Sequence, residues 1–327
     1  MDFALEKQWK SGHLHAILLA SNAQVVRMND KARGTVEMTT AMVISGTIGW
    51  FVVRSGQPVA DVVFWRCVFG ALTLLGVCAG LGLLRGAITW RRAGVAALGG
   101  VAIVINWLLL FAAYPRASIS IATAVYNTQP FMLVGLGALF LSEKLTAAKL
   151  TWLAIAFIGV VLIVQVGPAA SVGTDYLTGI AMALGAAFAY AVAALLIKKL
   201  AGTPPHLIAL IQVCVGVLML APLANLAHPP ADAHTWVILV TVGVVHTGLM
   251  YILLYGAIQR LPTHLTGSLS FIYPIVAIVV DIVAFGHRLQ LAQFLGAGAI
   301  LLAAAGMNLG WSPYRWLRAR AESPVSK

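Results

Sequence analysis

The stretch "AVYNTQPFMLVGLGALFL", residues 124 to 141, sets Tyr126, Asn127, Thr128 and Gln129 directly before Pro130 in an otherwise apolar run. A second stretch, "SLSFIYPIVAIVVDIVAF" at 268 to 285, repeats the arrangement with Ser268, Ser270 and Tyr273 ahead of Pro274. Amides, hydroxyls and phenols hold a solute reversibly by hydrogen bonding, which is the chemistry of recognition rather than of bond breaking. Each proline removes one helical hydrogen bond and crowds the preceding turn, so a helix kink with a loose carbonyl is expected at Pro130 and at Pro274. Two readings of the polar groups follow: they satisfy the kinks and neighbouring helices, or they line a binding site. Paired polar kinks at similar depth favour the second.

Other candidates for such a site are Trp50, Asn106, Trp107, Tyr190, His246, Tyr251 and Tyr255. Together with Tyr126, Asn127, Gln129, Ser270 and Tyr273 they form a neutral, aromatic set. Any one aromatic, taken singly, more often packs against lipid or helix. No Lys or Arg is expected at mid-depth, which disfavours a phosphorylated solute. A zwitterionic amino acid suits the set better, held by amides, hydroxyls and helix ends with its side chain on aromatic faces. Arg66 and Asp281 lie at similar depths below the outer ends of their segments, so they are expected to pair or to share the outer mouth; snorkelling of each to the headgroups is the alternative. His246 reads as a neutral hydrogen-bonded imidazole ahead of a proton relay, and Glu37 as interfacial.

Catalysis and cofactors are not expected. Neither H-E-x-x-H nor G-x-S-x-G occurs, and no P-loop is present to drive work with nucleotide. His13 and His15, or His228, Asp232 and His234, lack a recognisable zinc spacing, so no metal is assigned. Cys67, Cys78 and Cys214 fall in apolar segments, where they read as small core residues without a disulfide.

The elements that must position these groups are set by composition. Of 327 residues, 61% are hydrophobic and 9% charged, too few polar residues to cover a soluble surface. A bilayer core needs about 20 mostly apolar residues per helix. Ten such runs are present, near 36–54, 60–84, 93–113, 117–141, 148–166, 177–197, 206–226, 235–255, 262–285 and 292–311. Strand alternation is absent, so an all-α integral membrane fold is predicted. With the N-terminus inside, only Arg54, Arg116 and Arg288 among the Lys and Arg residues fall outside, and Arg66 lies within a span. That bias puts both termini in the cytoplasm and explains the formal charge of +11 without nucleic acid. Residues 1–33 are read as a cytoplasmic tail, because the apolar stretch from Leu14 to Ala20 is barely long enough for a signal peptide and His15 interrupts it. Residues 313–327 form the other tail.

The chain also matches itself. Gly99 and Gly243, Arg116 and Arg260, and Pro130 and Pro274 stand 144 apart, while Gly56 and Gly202 and Gly70 and Gly216 stand 146 apart. Two repeats of five helices result, 34–170 and 176–312, and the odd number requires the second to be inverted. On these features, and on "YNTQPFMLVGLGALFLSEKLTAAKL" and "FIYPIVAIVVDIVAFGHRLQ" in particular, the chain resembles the drug/metabolite transporter superfamily and its EamA-type ten-helix exporters. It looks most like the YddG type of bacterial amino-acid exporter, which is associated with aromatic amino acids. That resemblance implies a multi-pass protein of a bacterial inner membrane, exporting small neutral metabolites by alternating access, with a small-molecule substrate and the lipid bilayer as its partners. A nucleotide-sugar-like branch, proton-coupled drug efflux and a passive channel stay open as alternatives. The second copy carries His287 where the turn usually has Glu, whereas the first keeps Glu143, so whatever orders that loop in the family is altered here.

Overall fold

The computed structural model describes residues 30–84, 88–141, 146–165, 174–200, 202–261, 265 and 269–312. The expectations placed on both tails, on the turn at Glu143 and on Ser268 lie outside the described residues. Every regular element among the described residues is helical.

Helix α1 runs Asp30–Arg54. A tight turn at Gly56, with φ of 62°, then leads through Pro58 into α2, Val59–Gly80. Helix α3 spans Trp90–Ala117, α4 Ile119–Tyr126, α5 Gln129–Leu141 and α6 Ala147–Gln165. In the second half come α7 Thr174–Lys198, α8 Pro205–Leu220 and α9 Ala233–Gly243. A π-helical turn at Val244–Leu249 joins α9 to α10, Met250–Arg260. Helices α11, Ile272–Phe285, and α12, Leu291–Asn308, complete the bundle.

Among the described residues six helices are long and apolar enough to cross a membrane: α1, α2, α3, α7, the continuous α9–α10 rod and α12. Helices α6, α8 and α11 are shorter and apolar. Large apolar side chains face outward, Val283 at 79% exposure, Leu218 at 77% and Phe157 at 68%, a surface suited to lipid rather than water. Helix α8 stops at Leu220, short of the run read from hydropathy, because Pro222 follows and cannot continue it.

Small residues set the helix crossings. Gly70 of α2 sits on Thr247 of the π turn, and Gly243 of α9 sits on Phe69 and the Arg66 carbonyl of α2. The same arrangement recurs elsewhere. Gly216 of α8 lies against Cys67 and Val104, and Gly99 and Gly100 of α3 lie against Gln212 of α8. Glycines 144 or 146 residues apart therefore occupy corresponding contacts, α2 with α9 and α8 with α3. Helices α6 and α12 meet at Gly159 and Gly296, where each glycine faces the other's carbonyl oxygen; backbones approach this closely only where no side chain intervenes.

Candidate functional site

Both expected kinks are interruptions of the helix, and the prolines lie in the first turns of the helices that follow. Asn127 and Thr128 form a turn between α4 and α5, and Pro130 is the second residue of α5. Phe271 occupies a turn before α11, of which Pro274 is the third residue. A proline at the start of a helix gives up an N–H that would have had no intrahelical partner, so the break costs it no hydrogen bond. The loose carbonyls at the end of α4 are bonded locally. Asn127 Nδ2 donates to the Thr123 carbonyl at 2.7 Å, and the Thr128 hydroxyl donates to the Val125 carbonyl at 2.8 Å. Gln129 differs: its Oε1 is buried and has no hydrogen-bond partner.

A cavity of about 360 Å³ opens at these breaks, within the range for small-molecule sites. Tyr126, Asn127, Gln129 and Pro130 reach it from the first break, and Ser270, Phe271 and Tyr273 from the second. Helix α3 adds Asn106, Trp107 and Tyr114, α7 adds Tyr190, and the π turn and α10 add His246 and Tyr251. Ten of the twelve side chains singled out from sequence thus line one cavity. Trp50 and Tyr255 do not: Trp50 packs edge-on against Phe51, and Tyr255 packs on Tyr251 and His206. Pro274, buried in the first turn of α11, does not line the cavity.

Two polar members are fixed in place. Asn106 donates from Nδ2 to the Ala186 carbonyl at 2.8 Å, tying α3 to α7. His246 is buried, with Nδ1 3.3 Å from the Thr241 carbonyl and Nε2 3.0 Å from the Thr47 hydroxyl. A carbonyl only accepts, so the Nδ1 atom carries a hydrogen, and in the neutral ring Nε2 accepts from Thr47. That hydroxyl also lies 2.8 Å from the Ile44 carbonyl and shares its one hydrogen between the two acceptors.

The expected Arg66–Asp281 pair is replaced by two separate arrangements. Arg66 is 3% exposed, donates from Nε to the Thr247 hydroxyl at 2.9 Å, and lines the cavity. Its guanidinium carbon stands 4.2 Å from the centre of the Trp107 ring and 5.5 Å from that of Phe111. Asp281 is fully buried; one oxygen accepts the Ser120 N–H at 2.9 Å and the other lies 2.8 Å from His287 Nδ1. The physical reason is that α3 and α4 are separate helices, joined at the single residue Ser118. The turn at Ser118 leaves the N-terminus of α4 as a ready anion site, and Asp281 of the adjacent α11 fills it. Arg66 instead turns toward the π turn, so the cavity is not neutral as the sequence suggested. Depth along a helix is legible from sequence; direction around it is not.

At the end of the bundle where α1 begins, Glu37 accepts from Arg33 at 3.0 Å and from Arg260 at 2.8 Å, and Arg260 also bonds the Gly256 carbonyl. Glu37 therefore links α1 to α10. The cavity runs toward this end, where Met38 and Met42 of α1, Ile258 of α10 and Asn308 of α12 line it.

The EamA-like transporter family matches residues 33–165 and again 177–309. This chain belongs to the EamA-like transporter family. A relative in Bacillus subtilis, the uncharacterized transporter YxxF, is 31% identical over 287 residues, 87% of this chain and 91% of that one. The threonine/homoserine exporter RhtA of Escherichia coli is 28% identical over 204 residues, 62% of this chain and 66% of that one. A solved crystal structure superposes on 89% of this chain and 99% of its own length with a TM-score of 0.60 at 20% identity, which speaks to the fold. The relatives are transporters rather than enzymes, so this EamA chain is a membrane transporter whose substrate is a small molecule.

Proposed function

We propose that this EamA transporter exports small metabolites of no net charge, amino acids including aromatic ones, by alternating access through the cavity at the paired helix breaks. In this reading the chain makes ten spans in two inverted five-helix repeats, with both termini in the cytoplasm of a bacterium and the protein in its inner membrane. The observation that carries it is the convergence on one 360 Å³ cavity of two breaks whose prolines stand 144 residues apart, lined by amides and phenols. Corresponding crossings, Gly70 and Gly243 on one side and Gly216 and Gly99 on the other, supply a related pair of halves, and such pairs give carriers two exchangeable conformations. Aromatic faces around the cavity suit apolar side chains, and the amides suit the polar end of an amino acid.

Counterflow into liposomes tests this. Labelled threonine, homoserine, phenylalanine or tryptophan should accumulate transiently in vesicles preloaded with the same unlabelled solute, and the flux should saturate. Non-saturating flux that trans solute does not accelerate would replace the carrier with a channel. Competition by a UDP-sugar but by no amino acid would replace the substrate class.

A further inference from the structure

Arg66, the charged side chain in the cavity lining, has no countercharge among the described residues. Among the described acidic residues, Asp281 serves Ser120 and His287, Glu37 serves Arg33 and Arg260, and Asp61 accepts the Asn225 N–H at 2.7 Å. Asp175 pairs with Arg116, Asp232 caps α9, and Asp30 is exposed at the start of α1. None is paired with Arg66. The single hydrogen bond that Arg66 donates to a described residue leaves from Nε, so its two terminal amino groups are unclaimed by any described residue. They sit beside the rings of Trp107 and Phe111 in a cavity wall.

A guanidinium stays charged under all ordinary conditions, and a buried charge is costly unless an opposite charge meets it. Ring faces and one hydroxyl compensate in part. The unused edge of the fork has the geometry of a bidentate carboxylate site. Resting on the reading of this chain as an amino-acid carrier, we propose that Arg66 binds the carboxylate of the transported molecule, so that an anionic group of carboxylate type is a requirement for recognition. Gln129 supplies the complementary end. Its buried, unpartnered Oε1 on the same cavity accepts from an ammonium, which gives the substrate one orientation. A phosphate dianion would call for further cationic donors, and Arg66 is the one Lys or Arg in the cavity wall among the described residues. The corresponding position in the second half, 146 residues on, is Gln212, so the charge belongs to one repeat and the site takes a single anion.

The test uses the full-length protein in two formats, ligand-induced thermal stabilisation in detergent and competition in liposome counterflow. The probes are threonine and phenylalanine, their C-terminal amides, the corresponding deaminated acids, and glycerol phosphate. On the unmodified protein the acids should compete at concentrations at least tenfold below those of the amides. Arg66→Gln should abolish that difference and Arg66→Lys should restore part of it. Amides as effective as acids, or an Arg66→Gln variant that still discriminates, would overturn the assignment while leaving amino-acid transport standing. Deaminated acids that bind where amino acids do not would uphold Arg66 and overturn the amino-acid reading. Stronger competition by glycerol phosphate would replace carboxylate with phosphate, and a panel in which nothing binds would overturn both. If Arg66→Gln does not fold, the comparison of acid and amide on the unmodified protein decides alone.

Discussion

A carboxylate with no exposed surface needs a partner on each oxygen, and Asp281 has one on both: one oxygen accepts the Ser120 N–H and the other meets His287. Helix α4 begins after a single residue, Ser118, whose φ of 67° lies where side chains are rarely found. Its first turn is therefore bonded from two sources, the Ser118 hydroxyl at Ile121 N and Asp281 at Ser120 N. Replacing Asp281 with Ala would orphan the buried Ser120 N–H and lose the negative charge at the helix start. The expected cost is about 3 kcal/mol, from an unsatisfied buried donor and a lost charge-assisted bond. Asp281→Asn keeps an acceptor oxygen and should cost less than half of that. Unfolding in detergent, followed by helical circular dichroism, measures both; equal effects of the two substitutions would place Asp281 outside the cap. His287 thus has a partner that sequence alone did not suggest. A turn residue six positions after an aspartate gives no sign of reaching back to it.

Between residues and fold stand the irregular elements, and these divide by how much of them can be read in advance. The bends at Asn127 and Phe271 were legible because proline and polar side chains interrupt an apolar run at matched positions. What hydropathy could not distinguish was a kink within one helix from two helices end to end. The π turn at Val244–Leu249 was not legible at all, since its residues, Val, Val, His, Thr, Gly and Leu, suit an ordinary helix. Widened turns of this kind gather at functional sites. Here the turn carries His246 toward Thr47 and Thr247 toward Arg66, whose guanidinium it anchors. Thr247 also bonds the Val242 carbonyl, at 3.2 Å. Thr247→Val preserves the shape that Gly70 packs against but removes the acceptor. Bonds to charged groups are worth about 1.5–3 kcal/mol, so half-saturating concentrations for carboxylate substrates should rise roughly tenfold or more, with amides unaffected. A change common to acids and amides would mark Thr247 as packing alone. The α6–α12 crossing gives a second test with an internal control. A side chain at Gly296 would meet the Gly159 carbonyl oxygen at 2.6 Å, whereas Gly298, half a turn away, faces open space. Gly296→Leu should destabilise by about 1–3 kcal/mol or prevent folding, as overpacking does, and Gly298→Leu should be tolerated. Thermal unfolding of the two purified variants reads this directly.

For the molecule as a whole, the direction in which the cavity opens is the property with most bearing on transport. Its lining runs from Arg66 and Tyr114 to Met38, Met42, Ile258 and Asn308, near the start of α1 and the ends of α10 and α12. The opposite end is held by the Arg116–Asp175 pair between α3 and α7 and by the Asp281 cap between α11 and α4. A carrier of this kind would be open toward the side on which α1 begins, the cytoplasm in the proposed topology, and ready to load a solute for export. Introduced cysteines test this in a background lacking Cys214, the exposed natural cysteine, with the buried Cys67 and Cys78 as the unreactive baseline. Met42→Cys should react with a membrane-impermeant maleimide in inside-out vesicles and not in intact cells. Gln57→Cys, in the turn between α1 and α2, should show the reverse. Saturating substrate should slow labelling at Met42→Cys at least several-fold, because the label and the solute share one cavity, and should leave Gln57→Cys unchanged. Labelling of both positions from one side would remove the topology. Substrate that protects neither would show that solute binds elsewhere, and the cavity would then be packing space at a crossing of broken helices.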